Sequence, residues 1–180
     1  MNVNGHSSLT ELIEPVLTYP AGAYTVLRIT PSDPESFAFL PKLHVRALEF
    51  CEKYGSETDP VWLAQLLFNN FKNPQTANLV HILIALDAAD NIVAHMISYV
   101  ENYGKLGAVA MLLQLEVDKS VDDQSRKQMH GRAFSLMKEW ARDLKLRTVL
   151  AYVIRPAMAR LVEVDNFYQY RVVMRHDLEN

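Results

Sequence analysis

The chain has 180 residues, 49% of them hydrophobic and 22% charged, and a formal charge of −3. Those values describe one globular domain with enough chain for a proper core, and they exclude a fibrous or disordered protein. The single cysteine, Cys51, excludes an internal disulfide framework and a thiolate-rich zinc site, and no apolar run nears the roughly 20 residues that cross a bilayer.

Residues 1–20 read as an N-terminal arm ahead of a domain over 21–180. In the arm, Ser8 and Glu11 have capping-box spacing, but Pro15 stops any helix after about two turns. Residues 1–8 carry no Lys or Arg, unlike the basic start of a signal peptide, so a soluble cytoplasmic protein is expected. Residues 24–30 are rich in β-branched and aromatic types and stop at Pro31, which predicts a strand. Leu43, Ala47, Leu48, Cys51 and Tyr54 then recur at helical spacing, and Gly55 closes that helix. Asp59 before Pro60 caps a second helix through Val61, Leu63, Leu66, Leu67 and Phe71, ended by Asn73-Pro74.

From there the period becomes extended. Residues 79–86, 92–101 and 108–117 read as strands joined by short turns, an antiparallel meander. A polar stretch from Asp118 to Arg126 leads to a helix over about 131–144, with Ala133, Leu136, Met137, Trp140 and Leu144 facing inward. Residues 148–154 are a strand, 156–164 a helix and 167–178 extended. The connection through the long helix implies a parallel strand pair. The expected fold is a single-domain α/β one: a mixed, mostly antiparallel sheet, a β-β-β meander followed by a β-α-β crossover, with helices on its flanks.

Gln128-Met129-His130-Gly131-Arg132-Ala133, after the strand that ends Leu115-Glu116-Val117, resembles the Gln/Arg-x-x-Gly-x-Gly/Ala signature of the GNAT superfamily of N-acetyltransferases. Arg155-Pro156-Ala157-Met158-Ala159-Arg160-Leu161-Val162-Glu163-Val164-Asp165-Asn166-Phe167 resembles that superfamily's Asn-Pro-x-Ala-x-x-Leu-Tyr-x-x-x-Gly-Phe segment, with Pro156, Leu161 and Phe167 in agreement. The resemblance runs from Tyr24 to Leu178. It departs where the loop from Val117 to Gln128 is long, where Arg155 replaces Asn, and where Val162 replaces a Tyr that acts as acid to the departing thiolate.

The resemblance implies acetyl-CoA as co-substrate, without a metal, and an amine as acceptor. Gln128, Met129, His130, Gly131, Arg132 and Ala133 would meet the pyrophosphate at a helix start, where backbone N–H groups and the helix dipole favour anions. Leu115 and Val117 would bond the pantetheine through their backbones, and Arg155 is a further cofactor-binding candidate. Glu116 is the candidate general base, and Tyr152 and Tyr168 are substitute acids for the missing Tyr. The alternative is a catalytically diminished protein of the same fold in a binding or structural role, for example a virus-encoded assembly component; on either reading a homo-oligomer or an assembly partner is open.

Charge supports an anionic ligand near the C-terminal third: residues 126–180 hold 11 basic and 6 acidic side chains, against 7 and 15 in residues 1–125. Nucleic acid is disfavoured by the overall acidity and the spread of the basic residues. His81 and His95 fall near each other on the first two meander strands, but two His make a poor metal site. Cys51, on an apolar helix face, reads as a buried structural thiol. Trp62, Phe68 and Phe71 read as core, with part of that stripe able to line an acceptor cleft.

Overall fold

The computed structural model describes residues 17–18, 24–30, 33, 36–55 and 58–151. Their elements run β1 (Leu17–Thr18), β2 (Tyr24–Ile29), α1 (Leu40–Tyr54), α2 (Pro60–Ala64), β3 (Val80–Asp87), β4 (Ile92–Asn102), β5 (Ala108–Val117), α3 (Asp123–Asp143) and β6 (Val149–Ala151). The six strands form one sheet in chain order. All neighbours are antiparallel except β5 and β6, which run parallel with Ala110, Met111 and Leu112 opposite Val149, Leu150 and Ala151. The meander and the parallel crossover are therefore both present. Leu17 and Thr18, in the segment expected to be an arm, extend the sheet by pairing with Val26 and Thr25. The segments 156–164 and 167–178, with Tyr152, Arg155, Val162 and Tyr168, lie outside the described residues.

The caps act as their chemistry dictates. Gly55 takes a left-handed φ of 61° and its N–H bonds the Cys51 carbonyl, ending α1. Asp59 accepts the Val61 N–H at 2.8 Å, and Pro60 sits where no amide bond is required. α2 then continues as a π-turn over Gln65–Asn70.

Apolar side chains cover both faces of the sheet. On one, Leu27, Ile82, Ile84 and Ile97 pack with Leu43 and Ala47 of α1 and with Leu63, Leu67 and Phe71. On the other, Leu83, Met96, Leu112 and Leu115 pack with Phe134, Met137 and Trp140 of α3. Burying a side chain such as Phe134 contributes about 1.5–3 kcal/mol, so α3 is held by its contact stripe more than by its own helical propensity.

One break in the ladder shapes the site. Ile97 pairs with Gln114 while Ser98 pairs with Leu112, so Leu113 is an extra residue bulged out of β5. Beyond the bulge Gln114 and Glu116 lie on the α1 face, and Leu115 packs towards α3.

Candidate active site

A cleft of about 880 Å³ opens beside the bulge. One wall comes from the α1–α2 connection with Gly55, Thr58, Asp59 and Trp62, and the other from Tyr99 and Glu101 of β4 and Met111, Leu112 and Leu113 of β5. Leu66 and Asn70 of the π-turn also line it. The bulge bends β5 where its described ladder with β6 ends at Leu112, so the floor of the cleft is irregular strand. Trp62 and Tyr99 meet edge to face, with ring centroids 5.2 Å apart. Tyr99 donates its hydroxyl to Glu101 Oε2 at 3.0 Å. Trp62 thus lines a cleft, whereas Phe71 of the same stripe is buried core. Asp59 was legible only as a cap and Glu101 only as a strand end. Tyr99 and Glu101, two apart and so on one face at the end of a strand, were the available signal.

Glu116 lies elsewhere. It is not among the residues lining this cleft. Its Oε1 accepts from Lys53 Nζ at 2.7 Å and from the Tyr54 hydroxyl at 3.2 Å, and its Oε2 lies 3.6 Å from Arg46. Burial alone would raise its pKa, but the Lys53 hydrogen bond and the nearby cations hold it below the usual glutamate value. The carboxylate is ionised and occupied, tying the end of α1 to β5.

Behind Glu116 runs a buried chain of polar groups. Arg46 donates Nε to His95 Nδ1 at 3.1 Å, which makes that nitrogen an acceptor and leaves the proton on Nε2. His95 Nε2 then donates to Gln114 Oε1 at 3.1 Å, and Gln114 Nε2 donates to the Ala47 carbonyl and to Cys51 Sγ. Burial and the Arg46 charge push the His95 pKa down to about 4, so the ring is neutral. Cys51 is buried and hydrogen-bonded, a structural thiol.

His81 and His95 do not meet. His81 is opposite Ser98 and His95 opposite Ile84, and the rings face different sides of the sheet: His81 stacks on Trp140 of α3, at 5.1 Å between centroids, while His95 bonds Arg46 of α1. Among the described residues no group of three or more His, Cys, Asp or Glu could hold a metal ion, and no helix is long and apolar enough to cross a membrane.

The helix that carries the sequence motif starts earlier than expected. α3 begins at Asp123, with Asp122 as the N-cap accepting the Ser125 N–H at 2.9 Å. Arg126 reaches back to the Val121 carbonyl at 2.6 Å and the Lys119 carbonyl at 3.1 Å, pinning the preceding turn. The polar stretch read as loop therefore supplies a turn and two extra helical turns. Residues 128–133 lie inside α3, where each N–H bonds the carbonyl four residues back. Asp122 and Asp123 already occupy the positive end of the helix. Met129 and Ala133 are buried, Gly131 is exposed, and a Cβ built at Gly131 would meet nothing within 4 Å. Arg132 is half-exposed and lies 3.6 Å from Glu139.

No protein-family model and no curated protein matches the chain in sequence. Solved structures do match in shape. A predicted acetyltransferase from Clostridium acetobutylicum with acetyl-CoA aligns at a TM-score of 0.60 and 13% identity, covering 86% of this chain and 96% of that one. A possible acetyltransferase from Clostridium difficile aligns at 0.58 and 15%, covering 88% and 99%. Glucosamine-6-phosphate N-acetyltransferase from Arabidopsis thaliana aligns at 0.56 and 11%, covering 87% and 99%. The chain has the GNAT N-acetyltransferase fold, in a divergent sequence.

Proposed function

We propose that the protein is an acetyl-CoA-dependent N-acetyltransferase acting on a primary amine. The observation that carries this reading is the bulge at Leu113, which opens the 880 Å³ cleft in a fold shared with acetyltransferase structures. Acetyl-CoA, when bound, supplies the acyl group as an activated thioester. Leu115 and Val117 remain the candidates for its pantetheine, and the exposed face of α3 around Gly131 and Arg132 for its phosphates. The backbone of residues 128–133 does not fit a phosphate cradle in this conformation, because its N–H groups are spent within the helix. Contact there is through the bare surface at Gly131 and the basic side chains.

The chain's own contribution is positioning and charge. The cleft orients the amine against the bulged strand, and closeness of this kind accounts for much of the rate in such reactions. Glu101 is the carboxylate placed to take the proton from the attacking amine, in the role first assigned to Glu116. Tyr152 directly follows Ala151, the partner of Leu112, and is the candidate acid for the thiolate; Tyr168 has no such neighbour in sequence.

The test is a melting shift with acetyl-CoA, followed by release of free thiol with a panel of amines. A ligand at 100 times its dissociation constant adds about 2.7 kcal/mol of stability, a shift easily seen. Binding with thiol release supports the enzyme, binding without release moves the chain to the non-catalytic alternative, and no binding removes the cofactor altogether.

A further inference from the structure

We propose that the acceptor is an organic cation carrying a second positive charge besides the amine that is acetylated. This rests on the acetyl-transfer reading and names its substrate class. The described lining of the cleft holds two carboxylates, Asp59 and Glu101, and no Lys, Arg or His. They stand on different walls, one at the start of α2 and one at the end of β4. Among the described residues each uses a single oxygen: Asp59 Oδ1 accepts the Val61 N–H and Glu101 Oε2 accepts the Tyr99 hydroxyl. The other oxygen of each is left for a ligand.

A ligand entering this cleft strips water from both carboxylates. An anionic acceptor would add a third negative charge, and an acceptor with one amine would match one carboxylate and leave the other desolvated without a partner. An acceptor with two cationic centres matches both. The rings of Trp62 and Tyr99 offer apolar faces for the carbon framework between the charges and a π-surface for a cation. The wider field agrees, because residues 1–125, which supply the whole described lining, hold 7 basic against 15 acidic side chains. In the transfer step one ammonium gives its proton to Glu101, and the freed amine attacks the thioester carbonyl. The C–N bond forms, the C–S bond breaks with its electron pair leaving on the thiolate, and the remaining extra proton on the new amide nitrogen passes to that sulfur, giving the neutral amide and the free thiol. The second ammonium stays charged beside Asp59.

The experiment compares hexamethylenediamine, hexylamine and aminocaproate, which share a chain length and differ in the charge of the far end. With saturating acetyl-CoA, kcat/KM for the diamine is expected to exceed that for hexylamine by about fivefold or more, with aminocaproate last. Raising salt should shrink the difference. Asp59→Asn, which keeps a capping oxygen, should raise KM for the diamine more than for hexylamine. Equal kcat/KM values, or a preference for aminocaproate, would overturn the substrate class while leaving acetyl transfer standing. If no amine releases thiol, acetyl transfer itself fails, and calorimetric titration of hexamethylenediamine into the protein alone decides the rest. Binding weakened by salt and by Asp59→Asn would keep the cationic cleft, and absence of binding would remove it.

Discussion

Arg46 grips Asp118 with both guanidinium nitrogens, Nη2 to Oδ1 at 2.7 Å and Nη1 to Oδ2 at 3.2 Å, joining positions 72 apart in the chain. The same guanidinium bonds the Ile92 carbonyl at 2.7 Å and the His95 ring. One side chain thus locks α1 to the start of β4 and the end of β5. Replacing it with Met keeps the stem but leaves His95, the Ile92 and Val93 carbonyls and the Asp118 carboxylate short of a donor, and Glu116 short of a nearby cation. Arg46→Met is expected to cost about 2–4 kcal/mol, read as a lowered urea midpoint with an unchanged slope. A change under about 0.5 kcal/mol would mean that water replaces the guanidinium freely and that the lock is absent.

Two buried imidazoles are expected to weaken the fold in acid. Burial lowers His81 to about 3 and His95 to about 4, against about 6.5 in an unfolded chain. Between those values the unfolded state binds protons that the folded state refuses. Stability is therefore complete above about pH 6.5 and falls as pH drops towards 4, with a slope of up to about 2.7 kcal/mol per pH unit while both titrate. Urea midpoints measured from pH 8 to 4 should be flat at first and then descend. A flat profile through that window would contradict the burial of both rings.

His81 gives the sharper version. Among the described residues neither of its ring nitrogens has a partner, and the ring lies against Trp140 at an interplanar angle of 23°. An orphaned buried polar group costs about 1–3 kcal/mol, whereas an apolar ring of similar shape can be neutral or stabilising. His81→Phe should raise the melting temperature at neutral pH and remove part of the acid slope. A lower melting temperature would show that the imidazole nitrogens are satisfied in solution.

Much of this architecture was legible because local signals agree with one another. The 24–29, 80–87, 92–102 and 108–117 strands follow period-2 or unbroken apolar runs between turn residues, and Gly55, Asp59 and Pro60 end and start helices by known backbone rules. The start of α3 was missed because the polar residues 118–130 have little apolar periodicity. The deciding features are instead the Asp122 cap and the reach of Arg126 back to three carbonyls. Glu116 was identified as a carboxylate on the right strand, but its partners Arg46 and Lys53 lie more than 60 residues away in sequence. Which groups neutralise it depends on tertiary packing. Glu101 and Asp59 come together for the same reason, across a cleft that no local pattern encodes.

Gly131 lets the helix and the proposed cofactor surface be tested with one substitution. Its place inside α3, with open space where a Cβ would go, means that Gly131→Ala should stabilise the fold by about 0.5–1 kcal/mol. If the phosphate end of acetyl-CoA rests on that bare stretch, the same methyl weakens binding. A raised melting temperature together with a raised dissociation constant for acetyl-CoA is the expected pair of results. Unchanged affinity would remove residues 128–133 from the binding surface, and a lowered melting temperature would contradict the helix there.

Glu116 and Glu101 are the two carboxylates between which the proposed base is decided. Glu116 is held by Lys53 and Tyr54 away from the cleft lining, whereas Glu101 lines it. A positioned base contributes about 10²- to 10⁴-fold to a rate, far more than the slight change that follows from loosening a supporting helix. Glu116→Gln should therefore lower the melting temperature and leave kcat within about tenfold of the parent. Its effect on stability should fade as pH falls through the depressed pKa of the folded carboxylate, because only the ionised form is stabilised by Lys53. Glu101→Gln should do the reverse, with little change in melting temperature, since its side chain is exposed, and a loss of about 10²-fold or more in kcat that alkaline pH partly restores by deprotonating the amine. The measurement is kcat across pH 6–9 for both variants beside their melting curves. A large kcat loss in Glu116→Gln with full activity in Glu101→Gln would return the base to the end of β5, and would require Lys53 to release it when substrate binds.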